Sequence, residues 1–296
     1  MLALIAGTGD LPKAMLDRIT GPVLVCALDG FRPDVPVDLS FRIEHLGSFL
    51  QLLKDRGVTE ICLAGAVRRP PVEPAQIDAA TAPLVPRIQR AIASGDDGAL
   101  REIIAIFEDH GFAIRAAHTI APDLLPSPGI LTRHQPTATH RRDARAGDIV
   151  LAEMGAADTG QACIIRDGEV IAREGPAGTD AMLRDLAGHG QTSDPFTALT
   201  DTVSDLLGDA ANWLTGPGGG QPPADHGILF KGPKPAQDRR ADLPVIGPAT
   251  ARNAAAAGLD GIVIVADGVL VLDLSTVLEI LDAADLFLWV RAGNAA

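Results

Sequence analysis

The sequence predicts an α/β protein, with a parallel sheet in its first part and a second α/β unit built on a mixed sheet behind it. Three observations carry this. Short apolar runs alternate with amphipathic stretches through the first third: Leu2–Ala6, Pro22–Leu28 and Glu60–Ala64 read as buried strands, Lys13–Ile19 and Ser48–Arg56 as helices. Such a β-α-β-α-β series closes most simply as a parallel sheet with helices on its faces. Next, the stretch LLPSPGILTRHQPTATH is rich in Pro and Thr and has no periodicity, so it reads as a linker. Beyond it the strand and helix patterns resume. The expected division is 1–133, a linker at 134–140, and 141–296.

The remaining elements follow in order. Helical patterns run over Leu84–Ala93 and Asp97–His110, the latter opened by Gly95, Asp96 and Asp97, where acidic residues suit a helix N-terminus. Ile149–Ala156 reads as a helix. Ala162–Arg166 and Glu169–Arg173 flank Asp167-Gly168, a strong hairpin signal. Thr179–Leu186 is a helix with Thr179 or Asp180 near its start. Residues 188–225 are the least regular; Phe196–Leu214 has helical character and Gly216–Pro223 reads as a flexible loop. Strands at Gly227–Lys231, Leu243–Ile246, Gly261–Val265, Val269–Leu272 and Leu286–Val290 and helices at Ala249–Ala257 and Thr276–Ala284 complete the chain.

Composition narrows the function classes. With 47% hydrophobic residues, only 3% aromatic residues and no Tyr, the core is expected to be aliphatic. A formal net charge of −13 repels nucleic acid and anionic membranes as bulk partners. Any anionic ligand therefore requires a local cluster of cations. Cys26, Cys62 and Cys163 lie in strand-like runs without a CxxC spacing, which suggests buried free thiols in a reducing compartment. MLALIAGTGDLP is short and lacks a basic lead, so no signal peptide is expected, and no apolar run is long enough for a membrane span. A cytoplasmic protein is the expectation.

Several motifs could carry chemistry. Gly7-Thr8-Gly9-Asp10-Leu11-Pro12 follows a strand and precedes a helix. Its glycines let backbone approach an anion, and they equally suit a plain tight turn. Asp29 resembles the ribose-binding acid of a dinucleotide fingerprint, but Pro12 breaks that fingerprint. Gly65-Ala66-Val67-Arg68-Arg69 follows another strand, where arginines could face an anion or solvent. The densest cluster is Lys231-Gly-Pro-Lys234-Pro-Ala-Gln237-Asp238-Arg239-Arg240-Ala-Asp242-Leu-Pro244. It sets four cations and two carboxylates in a proline-stiffened loop between strands. Diphosphate hydrolysis needs both, cations for the phosphate oxygens and a carboxylate for a metal or for water. A solvated charged loop is the plainer alternative. Thr179 and Asp180 stand at a helix start, as a cap or beside a ligand. Asp158–Gln161 reads first as a turn and otherwise as the edge of a site. The histidines are scattered, and His134 and His140 are expected to face solvent.

Taken together, GTGDLP at 7–12, GAVRRP at 65–70, GDD at 95–97, DTGQA at 158–162, GTDAML at 178–183 and KGPKPAQDRRADLP at 231–244 resemble the LpxI family, in this order along most of the chain. The resemblance implies a Rossmann-like N-terminal domain and a C-terminal domain of less common fold, with the substrate between them. It implies Mg²⁺-dependent hydrolysis, with Mn²⁺ as a substitute ion, of UDP-2,3-diacylglucosamine to UMP and 2,3-diacylglucosamine 1-phosphate in lipid A biosynthesis. On that footing the expected catalytic residues are Lys231, Lys234, Gln237, Asp238, Arg240, Asp242, Thr179 and Asp180, with Asp238 and Asp242 toward the metal. The expected substrate-binding residues are Gly7, Gly9, Asp10, Leu11, Pro12, Gly65, Arg69 and Gln161. The expected partners are the lipid nucleotide-sugar and, transiently, the membrane surface, and a homodimer is compatible. Two departures stand out. Ala177 takes the place of an acidic residue before the GTDAM run, and 188–225 is longer than the family norm. The competing readings are an NAD(P)-dependent oxidoreductase and a non-catalytic nucleotide-sugar or lipid-binding protein.

Overall fold

The computed structural model describes residues 1–67, 70–189, 226–235 and 237–292. The expected helix at Phe196–Leu214 and the glycine-rich loop after it lie outside the described residues. The first sheet has five strands, β1 (Leu2–Ala6), β2 (Val23–Leu28), β3 (Leu39–Phe41), β4 (Glu60–Ala64) and β5 (Ala113–Ile114), in the order β3-β2-β1-β4-β5. Every pairing in it is parallel. The helices between are α1 (Leu11–Leu16), α2 (Leu46–Asp55), α3 (Val85–Ala93), α4 (Asp96–Asp109) and α5 (Ala117–Ile120).

The second sheet is mixed. Its order is β6-β13-β11-β9-β7-β8, from β6 (Gly129–Ile130), β7 (Ala162–Arg166), β8 (Glu169–Arg173), β9 (Ile228–Lys231), β11 (Gly261–Val265) and β13 (Phe287–Arg291). The three central strands β9, β11 and β13 are parallel. Antiparallel β6 closes one edge and the β7–β8 hairpin the other. A separate parallel pair joins β10 (Val245–Ile246) to β12 (Leu270–Val271). Among the described residues, helices α6 (Ala138–Ala156), α7 (Thr179–His189), α8 (Pro248–Ala256) and α9 (Leu274–Ala283) belong to this half. No helix among the described residues is long and apolar enough to cross a membrane.

Strand alternation explains where the cores lie. On β1, Ala3 and Ile5 join one apolar cluster with α2 and α3, while Leu4 joins another with Met15 and Leu124. On β9 and β11, Leu229, Ile262 and Ile264 face α7 and α8, whereas Ile228, Phe230 and Val263 face α6. The hairpin between β7 and β8 has Asp167 at φ 50° and Gly168 at φ 82°, the two positive φ values that a type I′ turn requires. The three cysteines are free and buried, and burial pushes each thiol up to about 12.

Several expectations shift. The first helix is Leu11–Leu16 rather than Lys13–Ile19, because Leu11 and Pro12 already occupy its first turn. The helix expected at Ile149–Ala156 begins at Ala138; Thr137 accepts from the His140 N–H, and His140 Nδ1 accepts from the Thr137 N–H. Its first half is rich in polar residues, which hides the apolar stripe. Part of the stretch read as linker is β6. His140 is buried, not solvent-facing, with Nε2 3.2 Å from Asp260 Oδ2; His134 is exposed.

One cluster belongs to both halves. Leu243, Leu270 and Leu272 pack with Leu4, Met15, Cys62, Ala64, Ala117 and Leu124. Leu270 is wholly buried there. Leu270→Ala is expected to lower the unfolding free energy by about 2–5 kcal/mol, read as a reduced urea midpoint of the full chain.

Candidate active site

The loop from Lys231 to Asp242 leaves the carboxyl end of β9 and is wedged between the two halves. Strand alternation sends the Lys231 side chain to the face of Leu229, toward α7. There its buried Nζ donates to Thr179 Oγ1 at 2.7 Å, and Thr179 donates to Glu174 Oε1 at 2.6 Å. The second Glu174 oxygen accepts from the Gln161 backbone N–H at 2.6 Å. Gln161 Nε2 donates to Asp242 Oδ2 at 3.3 Å, and Gln237 Nε2 donates to the same oxygen. The Gln237 amide oxygen then accepts from the Lys234 N–H at 3.0 Å. Finally, Lys234 Nζ donates to Asp158 at 2.5 Å and to Asp97 at 3.2 Å.

One bonded network therefore draws together the segments 95–97, 158–162, 178–183 and 231–242. Close packing keeps them in place. The ring of Pro235 lies against Gly155, where a Cβ would stand 2.6 Å from Pro235 Cδ, and at Gly232 a Cβ would meet Val265 at 2.7 Å.

Asp238 and Asp242 end one turn, in which Asp238 C=O accepts from the N–H groups of Ala241 and Asp242. Their environments differ. The Arg240 guanidinium engages both Asp238 oxygens, at 3.0 and 2.8 Å, and holds this carboxyl below its ordinary value. Arg240 also reaches Glu108 of α4 at 2.6 Å. Burial pushes the Asp242 carboxyl up, against the opposing hydrogen bond from Gln237. Burial likewise pushes Lys231 down, against the pull of Glu174, Asp180 and Asp242. For Lys234 burial acts downward too, but the bonds to Asp158 and Asp97 outweigh it and the net shift is upward. One Asp180 oxygen is buried without a hydrogen-bond partner.

Asp238 is half-buried, not the freely exposed loop carboxylate that its proline-rich setting suggests. Asp158–Gln161 is an edge of this network rather than only a turn. Glu174 was not singled out from sequence; Asp97 and Asp158 were noted only at a helix start and at a turn or site edge, not as site residues. His118 of α5 was missed as well. Its Nδ1 is buried without a partner, and burial, with Arg239 nearby, pushes the imidazole down.

Gly7, Gly9, Asp10, Leu11, Pro12 and Gly65 lie elsewhere, at the carboxyl ends of β1 and β4. Strand order reverses between these two strands, the place where open α/β sheets bind ligands. The two loops are locked to each other: Thr8 and Ala66 exchange backbone N–H···O bonds of 2.9 Å. A Cβ on Gly7 would stand 2.5 Å from Ala66 O, and one on Gly65, at φ +92°, 2.8 Å from Thr8 O. Loop–loop contact thus accounts for both glycines. Leu11 packs into the shared apolar cluster, Pro12 is buried and Asp10 is exposed. Arg69 lies outside the described residues.

The carboxylates of this loop are the oxygen donors it could offer a hard divalent cation. Asp238 and Asp242 offer oxygen only, and Mg²⁺ is commonly held by one or two carboxylates while phosphate oxygens and waters fill the other positions. Among the described residues no group of three or more His, Cys, Asp or Glu side chains forms a closed cage. An ion at this place would draw ligands from the substrate.

Lys234→Met would leave Asp97 and Asp158 as largely buried carboxylates without their cation. A loss of about 3 kcal/mol in stability is expected, read as a lowered melting temperature near neutral pH.

Residues 1–124 match the LpxI N-terminal domain and residues 127–289 the LpxI C-terminal domain. A relative from Caulobacter vibrioides, named UDP-2,3-diacylglucosamine pyrophosphatase LpxI, is 32% identical over 292 residues, spanning 97% of this chain and 95% of its own length. This chain belongs to the LpxI family.

Proposed function

We propose that the chain hydrolyses the diphosphate of UDP-2,3-diacylglucosamine to UMP and 2,3-diacylglucosamine 1-phosphate, a step of lipid A biosynthesis. The observation that carries this reading is the network itself. In a chain of net charge −13, two buried lysines and a set of carboxylates converge on one loop. The name of the Caulobacter relative supplies the substrate. A cytoplasmic enzyme follows, one that meets its lipid substrate by transient contact with the membrane surface.

Water bonds to the sugar-side phosphorus, the bond from that phosphorus to the bridging oxygen breaks, and UMP departs with the bridging oxygen. The proton of the attacking water passes to a carboxylate. Asp242 is suited to take it, because burial raises its affinity for a proton, while Asp238 is kept ionised by Arg240. Lys231 has N–H donors beyond the one given to Thr179 and can meet phosphate oxygens. Asp238, kept ionised, would hold Mg²⁺, or Mn²⁺ in its place, with waters and phosphate oxygens in the other positions, and the bound ion would offset charge on the diphosphate. The loops at Gly7–Pro12 and Gly65 stand at the switch point of the first sheet, a fitting place for the nucleotide half.

Purified chain supplied with UDP-2,3-diacylglucosamine and Mg²⁺ is expected to release UMP, followed by ³¹P NMR; binding without turnover would overturn the reading. Asp238→Ala should lower turnover by about 10²–10⁴-fold at saturating Mg²⁺. It should lower stability by no more than about 1 kcal/mol, because Arg240 is partly exposed and keeps Glu108. Near-wild-type turnover in a folded Asp238→Ala protein would remove this residue from the chemistry.

A further inference from the structure

We propose that Glu174 is a positioning residue for this site: through the Thr179 hydroxyl it fixes the Lys231 ammonium in one orientation, leaving the other N–H donors of Lys231 open to a phosphate oxygen. The inference rests on the hydrolysis proposed above and concerns a residue outside every motif that marked the chain.

The argument begins with proton counting. An ammonium carries donors and no acceptor, and a hydroxyl carries one proton. Lys231 Nζ donates to Thr179 Oγ1, so the Thr179 proton cannot point back at Lys231 and must go to another acceptor. Glu174 Oε1, at 2.6 Å, takes it, at the short distance typical of a hydroxyl bonded to a carboxylate. The hydroxyl rotor is thereby set, with a lone pair facing Lys231.

Glu174 is itself held firmly. Its other oxygen accepts from the Gln161 N–H at 2.6 Å, and its own N–H donates to Ala162 O at 2.9 Å. Gly160, at φ +112°, lets the chain pass so closely that a Cβ there would stand 2.7 Å from Glu174 O. A turn in which the Gly178 N–H donates to Gly175 O brings the chain back from Glu174 to Thr179. Ala177, nearer in sequence, has no carboxylate to offer. Asp180 and Asp242 also act on Lys231 by charge, while among the described residues Nζ donates its hydrogen bond to Thr179. Because Lys231 is buried, its direction is set by these few contacts rather than by water.

The test is a double-mutant cycle on the full chain, paired with a readout that needs no substrate. Glu174→Met, which removes both acceptors at similar volume, is expected to lower kcat/KM for UDP-2,3-diacylglucosamine by roughly 10- to 100-fold. In a Thr179→Val background the same change should cost less than about twofold, since its route to Lys231 is already cut. Glu174→Gln, which keeps one acceptor, should recover part of the loss, and it takes the place of the methionine variant if that protein does not fold. An equal loss in both backgrounds would overturn the proposal, because a merely structural effect would not depend on Thr179. The chain has only four lysines, Lys13, Lys54, Lys231 and Lys234. ¹⁵N-lysine spectra of the substrate-free protein are therefore simple, and Lys231→Met identifies the Lys231 signal. Glu174→Met and Thr179→Val should each shift or broaden that signal; an unmoved signal in folded Glu174→Met protein would also overturn the proposal. Absence of turnover in the unaltered chain would instead refute the hydrolysis and leave the spectra to judge the Lys231 contact.

Discussion

The Lys234 ammonium fixes the place of the loop on which the site is built. It lies between Asp97, in the first turn of α4, and Asp158, just past the end of α6, and so ties three distant stretches of chain. Removing an ammonium from water is unfavourable by several kcal/mol unless carboxylates replace the lost solvent. The loop can bury Lys234 only where both acids are present, which means only when the two halves are assembled. From that point the remaining bonds are determined: the Lys234 N–H binds Gln237, Gln237 binds Asp242, and Gln161 binds Asp242 in turn. A polar network of this kind is favourable when complete and unfavourable when partly satisfied, so it specifies a single arrangement.

Long, strongly patterned elements were legible in the sequence. Short apolar runs marked β1, β4 and β7, and Asp167-Gly168 marked the hairpin. The short strands β3, β5 and β6 were not, because none stands in a longer apolar run of the kind that marked the equally short β10 and β12, and each is defined by its neighbour in the sheet. The N-terminal half of α6 was hidden for another reason. Its exposed face carries Arg141, Arg142 and Arg145, and its start depends on the reciprocal bonds of Thr137 and His140.

The site divides in the same way. Its loop was visible because cations cluster there in an acidic chain. Of the acids that complete it, Asp97 and Asp158 showed only as a helix start and as a turn or site edge and Glu174 not at all, since their joint role comes from tertiary contact between separate segments. Glu174 belongs to no motif and looks like any acid following a strand. The Gly7 and Gly65 loops show the converse: a pattern suited to an anion also satisfies a close backbone crossing.

The apolar cluster common to both halves bears on how the chain is made. Leu4, Met15, Cys62 and Leu124 are synthesised early, yet the leucines that cover them are residues 243, 270 and 272. At translation rates of about 5–20 residues per second, the interval between Leu124 and Leu272 is roughly 7–30 s. During it the emerging N-terminal part leaves these apolar side chains exposed to water. Vectorial synthesis thus imposes a waiting period that a post-synthetic refolding experiment, in which all residues are present from the start, would not reproduce.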